Sequence, residues 1–103
     1  MIQGTTPTLT IHLSQGAPDM TGQKRVSLTL VQGERTLCVK SPSPRMWLSK
    51  NHVRVRLTQE ETLRFAPGPV ELQLRWLDAE GQAGASVPAT LMNYGLLRGE
   101  VLR

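Results

Sequence analysis

Apolar residues in this chain recur at every second position, a spacing that dictates strands with one buried face. Leu9, Ile11 and Leu13 alternate with Thr10 and His12. Val26, Leu28 and Leu30 repeat the pattern around Ser27 and Thr29, and Val53, Val55 and Leu57 repeat it around Arg54 and Arg56. Val70, Leu72, Leu74 and Trp76 form a fourth run of the same kind. Neighbouring side chains of a strand point to opposite faces, whereas a helix scatters such positions around its circumference. The alternation therefore selects a sheet protein with aliphatic inner faces.

The segments between these runs read as turns and corners. Gln32-Gly33-Glu34 is a hairpin break in which Gly33 supplies the positive φ of a tight turn, and Leu37 and Val39 face inward on the returning strand with Cys38 outward. Two prolines in Ser41-Pro42-Ser43-Pro44 remove ladder donors, so that stretch is a loop or a sheet-crossing corner. Met46 to Leu48 is a short strand. Thr58 followed by Glu61 has the spacing of a capping box and predicts one helical turn near residues 59–64, after which Leu63 and Phe65 return to the core. Asp78-Ala79-Glu80-Gly81 is a turn. The segment from Gln82 to Leu91 is weaker, with Ala85, Val87, Ala89 and Leu91 on one parity, and Pro88 marks it as an edge strand or a bulge. The expectation is an all-β fold, a small antiparallel β-sandwich, immunoglobulin-like or jelly-roll-like, of about six or seven strands.

A chain of 103 residues makes one domain. An apolar share of 39% and four aromatic residues supply a thin core rather than a deep ligand cavity. No apolar run approaches the roughly 20 residues of a membrane span, and the first residues lack the basic and apolar parts of a secretory leader. The reading is a soluble protein made in the cytosol, with no membrane partner. Cys38 is the only cysteine, which excludes an internal disulfide and a cysteine-based zinc site.

The charge is uneven. Lys24, Arg25, Arg35, Lys40, Arg45, Lys50, Arg54 and Arg56 face Glu34 alone between positions 24 and 56, a local net of +7, while the rest of the chain carries −3. These cations are dispersed and have Trp47 as their sole aromatic neighbour, a pattern closer to a solvated face or a contact with an acidic protein than to a nucleic-acid groove. His12 and His52 are the available general bases, but neither neighbours a nucleophile motif. His12, His52, Asp19 and Asp78 share no ligand spacing, so a metal site would have to be assembled wholly by the fold. Glu60-Glu61 fits the favourable charge of a helix start, and Gly81-Gln82-Ala83-Gly84 is a turn rather than a phosphate loop. The reading is not an enzyme: no catalytic, cofactor-binding or metal residue is assigned. Trp76 belongs with the core by parity. The candidate protein-interface residues are Trp47, Arg54 and Arg56, with Lys50 and His52 in the same basic stripe. Leu96, Leu97, Val101 and Leu102 join them from an apolar contact segment at residues 95–103, and residues 1–7 read as an N-terminal arm.

Three stretches carry a family resemblance. They are Gln3-Gly4-Thr5-Thr6-Pro7-Thr8, then Val55 to Phe65 followed by Val70-Glu71-Leu72-Gln73-Leu74-Arg75, and finally Gly95 to Leu102. In this order the chain resembles a group of short proteins encoded among the virion structural genes of phages and prophages of Gram-positive gut bacteria (Firmicutes). The middle, from Ala17 to Ser49, departs from that pattern. The resemblance implies a virion-associated or assembly protein and leaves open capsid, neck, tail, baseplate or a non-virion accessory role. The reading built on it is a virion structural or assembly-accessory protein, located in the particle, that binds other phage structural proteins, with a homo-oligomer as one possible form. It brings no catalytic residues. The alternatives are a carbohydrate- or host-surface-binding module, which would use Trp47, Trp76 and Tyr94, and a nucleic-acid-binding sheet face.

Overall fold

Eight strands form in the computed structural model, which describes residues 1–103. They are β1 (Thr8–His12), β2 (Arg25–Gln32), β3 (Arg35–Lys40), β4 (Met46–Leu48), β5 (His52–Arg56), β6 (Gly68–Leu77), β7 (Ala83–Ala85) and β8 (Ala89–Asn93). One short helix, α1 (Gln59–Leu63), and a 3₁₀ turn at Met20–Gly22 complete the set. No helix is long and apolar enough to cross a membrane.

The strands build two antiparallel sheets, in the order β1-β5-β4 and β3-β2-β6, with β7 and β8 both alongside β6. Lettered B, C, C′, D, E and F in chain order, with β7 and β8 together as G, the sheets read B-E-D and C′-C-F-G. That is the strand distribution of an immunoglobulin-type sandwich, the first of the two architectures expected from sequence. Antibody domains bolt their sheets with a disulfide; here Cys38 is free and exposed, and no disulfide joins the layers.

The parity of the sequence decides what lies between the sheets. Val26, Leu28, Leu30, Leu37, Val39, Val70, Leu72 and Leu74 descend from the large sheet onto Met46, Val53, Val55 and Leu57 of the small-sheet side, with Phe65 and Met20 closing the ends. Leu9, Ile11 and Leu13 are half-buried, because β1 is an edge strand and covers the core from one side only.

The connectors form as their residues require. Gly33 turns the β2–β3 hairpin at φ 58°. The Ser41-Pro42-Ser43-Pro44 segment carries the chain from the large sheet to the small one, and it is fastened to β2 twice. Val26 N–H donates to Ser41 Oγ, and Ser41 N–H donates to Val26 O, both at 2.8 Å. Thr58 caps α1 with the full reciprocal capping box. Beyond α1, three side-chain amides converge on the Phe65–Ala66 backbone. Gln3 Nε2 donates to Phe65 O, Asn93 Nδ2 to both carbonyls, and Gln32 both donates to and accepts from Ala66.

Two expectations change. The segment 82–91 is two strands rather than one, which raises the count to eight. Pro88 has no N–H for the ladder, and Ser86 fills the gap: its N–H donates to Leu74 O and its hydroxyl accepts from Leu74 N–H. The break also resets the parity, so Ala85, Val87 and Ala89 are exposed and Leu91 alone packs against the core. Trp76 is half-buried instead of fully inside, because its ring lies over Gly84, its cross-strand partner on β7. Residues 1–7 lie against the body of the domain: Ile2 pairs in parallel with Tyr94, Gln3 N–H donates to Tyr94 O, and the terminal ammonium donates to Met92 O.

β3 is one of the open edges. It pairs on one side only, with Arg35 and Lys40 at its ends and Cys38 outward between them.

A Cβ at position 84 would collide with the Trp76 indole. Gly84→Val should therefore cost about 1–3 kcal/mol by overpacking and shift the tryptophan near-UV dichroism. An unchanged denaturant midpoint would contradict this packing.

Candidate functional site

The rule that buries Val53 and Val55 turns Thr8, Thr10 and His12 of β1, His52, Arg54 and Arg56 of β5, and Trp47 of β4 to the outer face of the small sheet. Register sets them in rows across the strands. Thr8 lies opposite Arg56, Thr10 and Trp47 flank Arg54, and His12 lies opposite His52. The middle row is the best organised: Trp47 is 41% exposed, and the Arg54 guanidinium carbon sits 5.5 Å from its ring centroid. At an exposed site such a cation–π contact contributes about 0.5–1 kcal/mol, a modest preference for the paired arrangement. Lys50, Arg54 and Arg56 form no ion pair, since the two that exist join Arg45 to Glu61 and Arg98 to Glu100. The face keeps its positive charge.

The Arg56 end of this face is tied to α1. Arg45 donates to the main-chain carbonyl of Arg56 at 3.1 Å and to the Glu61 carboxylate. Glu61 also accepts from Thr58 N–H in the capping box, so one carboxylate holds the helix start and the strand end together. Burial pushes the Glu61 carboxyl up, and it is the largest single influence. The hydrogen bonds from Arg45 and Thr58, with the charge of Arg45, outweigh it and hold the carboxyl below its ordinary value.

The other candidates reach the same end from the tail. Gln59, which shares a notch of ≈ 320 Å³ with Arg45 and Arg56, grips Leu102 through two hydrogen bonds, donating to its carbonyl and accepting from its N–H. Leu96 is seated: its N–H donates to Gln3 Oε1 and its side chain lies against Gly4 beside Leu63. Val101 is half-buried, whereas Leu97 and Leu102 present their side chains to solvent. The structure thus gathers Trp47, Arg54 and Arg56 on one sheet face and places Leu96, Leu97, Val101 and Leu102 on a strap over α1 that meets its end.

The basic region of residues 24–56 does not stay together. Arg45, Lys50, Arg54 and Arg56 go to the small-sheet side. Arg25 and Lys40 join Arg75 around a notch of ≈ 230 Å³ on the outer face of the large sheet. The largest concavity, ≈ 970 Å³, lies by the β2–β3 hairpin among Glu34, Arg35, Pro67 and Glu71, away from every sequence-derived candidate. His12 and His52 come together with ring centroids 5.6 Å apart, and Asn51 is the side chain bonded to His52. Sequence reasoning missed the Arg45–Glu61 pair and this histidine pair, whose members lie 16 and 40 residues apart and carry no local signal.

No protein-family model matches the chain, and neither a curated protein nor a solved structure matches it.

Glu61 gives a pH prediction. A carboxyl depressed in the folded state contributes stability that is complete above its unfolded value, near 4.5, and is lost as pH falls through the lower folded value. Glu61→Gln should flatten the loss of melting temperature below pH 4.5 and destabilise the domain by about 1–3 kcal/mol at neutral pH. Parallel acid profiles for both proteins would overturn the role of the carboxylate.

Proposed function

We propose that this chain is a non-catalytic binding module of a phage particle, in which the outer face of β1, β5 and β4 docks on an acidic surface of another virion protein. The observation that carries the reading is Trp47 lying exposed beneath Arg54 on a basic face where Arg54 and Arg56 form no ion pair. Tryptophan and arginine are the residue types that most often dominate interface energetics, and unbalanced charge steers and orients an oppositely charged partner. The virion setting rests on the family resemblance of the three sequence stretches. The strap at residues 95–103, with Leu97 and Leu102 outward, supplies a second contact suited to a further copy of the chain.

A carbohydrate-binding module would also use Trp47, but sugar stacking needs a free ring face and Arg54 lies over this one. Nucleic-acid binding is disfavoured by the division of the cations between the outer faces of two sheets.

Two measurements test the proposal. Arg54→Glu and Trp47→Ala should each reduce incorporation into particles at least tenfold, read by mass spectrometry of purified virions, while circular dichroism stays unchanged and the melting temperature falls by no more than about 4–8 °C. Gln73→Ala, on the opposite sheet, should incorporate normally. Wild-type levels of Arg54→Glu in the particle, or absence of the native chain from it, would remove the proposal. Separately, deleting residues 95–103 should lower the oligomeric mass in light scattering; an unchanged mass with an intact fold would assign the contact elsewhere.

A further inference from the structure

At the far end of the small sheet, the fold brings together the only two histidines of the chain. His12 and His52 are direct cross-strand partners on the outer face, with ring centroids 5.6 Å apart. The backbone holds them there: the ladder continues beyond the pair, with Leu13 N–H donating to Asn51 O at 2.9 Å. The rings are therefore presented by two fixed strands rather than by a loop.

The hydrogen-bond geometry at His52 suits metal binding. The Asn51 side-chain carbonyl lies 3.2 Å from His52 Nδ1, so the tautomer with its proton on Nδ1 donates to it and leaves Nε2 with a free lone pair for a metal. Metal-bound histidines characteristically donate their second nitrogen to an oxygen in this way, which fixes the tautomer and the ring orientation. Two metal–nitrogen bonds of about 2.0–2.1 Å span at most roughly 4 Å between the nitrogens. Rings with centroids 5.6 Å apart come within that span when each turns a nitrogen toward the other. Lys50 and Arg54 are the cations nearest in sequence; Arg54 is drawn toward Trp47, away from the pair.

We propose that His12 and His52 form a two-imidazole site for a divalent transition-metal ion, with water completing the coordination shell and Asn51 positioning the His52 ring. The imidazole ligand set selects Zn²⁺, Ni²⁺ or Cu²⁺ over Mg²⁺ or Ca²⁺, with Cu²⁺ bound most tightly. The bound ion clamps edge strand β1 to β5. A ligand held only by the folded state raises its stability by mass action. The open coordination positions face solvent at one end of the sheet face proposed for docking, and the metal site rests on the histidine pair alone.

The test uses the untagged full chain carrying Cys38→Ser, which removes the one exposed thiol as a competing ligand. Addition of ZnCl₂ should shift the imidazole resonances of both histidines along one saturation curve and raise the melting temperature, whereas MgCl₂ should do neither. CuCl₂ should quench Trp47 fluorescence at lower concentration than ZnCl₂ shifts the resonances. His12→Gln and His52→Gln should each weaken zinc binding at least tenfold and abolish the thermal shift. Asn51→Ala, which keeps both ligands, should weaken it by a smaller factor. The proposal is overturned if the two resonances respond at different zinc concentrations, if either histidine variant binds as the parent does, or if the parent shows no saturable response.

Discussion

The pairing of β2 with β6 holds the rest of the molecule in place. Its register runs from Arg25 opposite Leu77 to Val31 opposite Glu71, and it sets Val26 against Trp76, Leu28 against Leu74 and Leu30 against Leu72 on the inner face. A slip of β6 by one residue would turn Leu72, Leu74 and Trp76 to solvent and bring Gln73 and Arg75 inside, so burial fixes the register as firmly as the hydrogen bonds do. β3 attaches to the free side of β2, and β7 and β8 attach to β6. The small sheet has no hydrogen-bonded contact with this platform and rests on it through Val53, Val55, Leu57 and Met46. With no disulfide between the layers, that packing is the main contact between the two sheets.

Most of this architecture was legible because a strand with one wet face writes its geometry into every second residue. The strands rich in Val and Leu, the Gly33 hairpin, the proline corner and the capping box at Thr58 and Glu61 all stood in the sequence for that reason. The Ala- and Gly-rich stretch after Gly81 was legible only as an edge. Its strands gain little from burial, and their position is fixed by Ser86 and by the ring of Trp76, which are tertiary contacts. The amide clamp on Phe65 and Ala66 draws on Gln3, Gln32 and Asn93, residues that nothing in their local sequence marks as partners.

The candidate surface was legible in part for the same reason. Arg54, Arg56 and His52 occupy the positions complementary to Val53 and Val55, so identifying the core also identified what faces out. What parity leaves undetermined is the neighbour across the strand. That Trp47 meets Arg54, that His12 meets His52 and that Arg45 reaches Glu61 all depend on the register of strands distant in sequence. The same dependence dispersed the basic region: residues close along the chain went to opposite sheets because the corner at Ser41–Pro44 lies between them.

The open edge of β3 has a selective character. If two copies met edge to edge, each would bring Arg35 and Lys40 to the joint with no carboxylate on β3 to offset them, and the seam would repel. Natural sheets use flanking cations in this manner as gatekeepers against runaway self-association. The strand can stay unpaired and extended without seeding aggregates of its own kind, while remaining electrostatically permissive to an incoming segment that carries carboxylates at its ends.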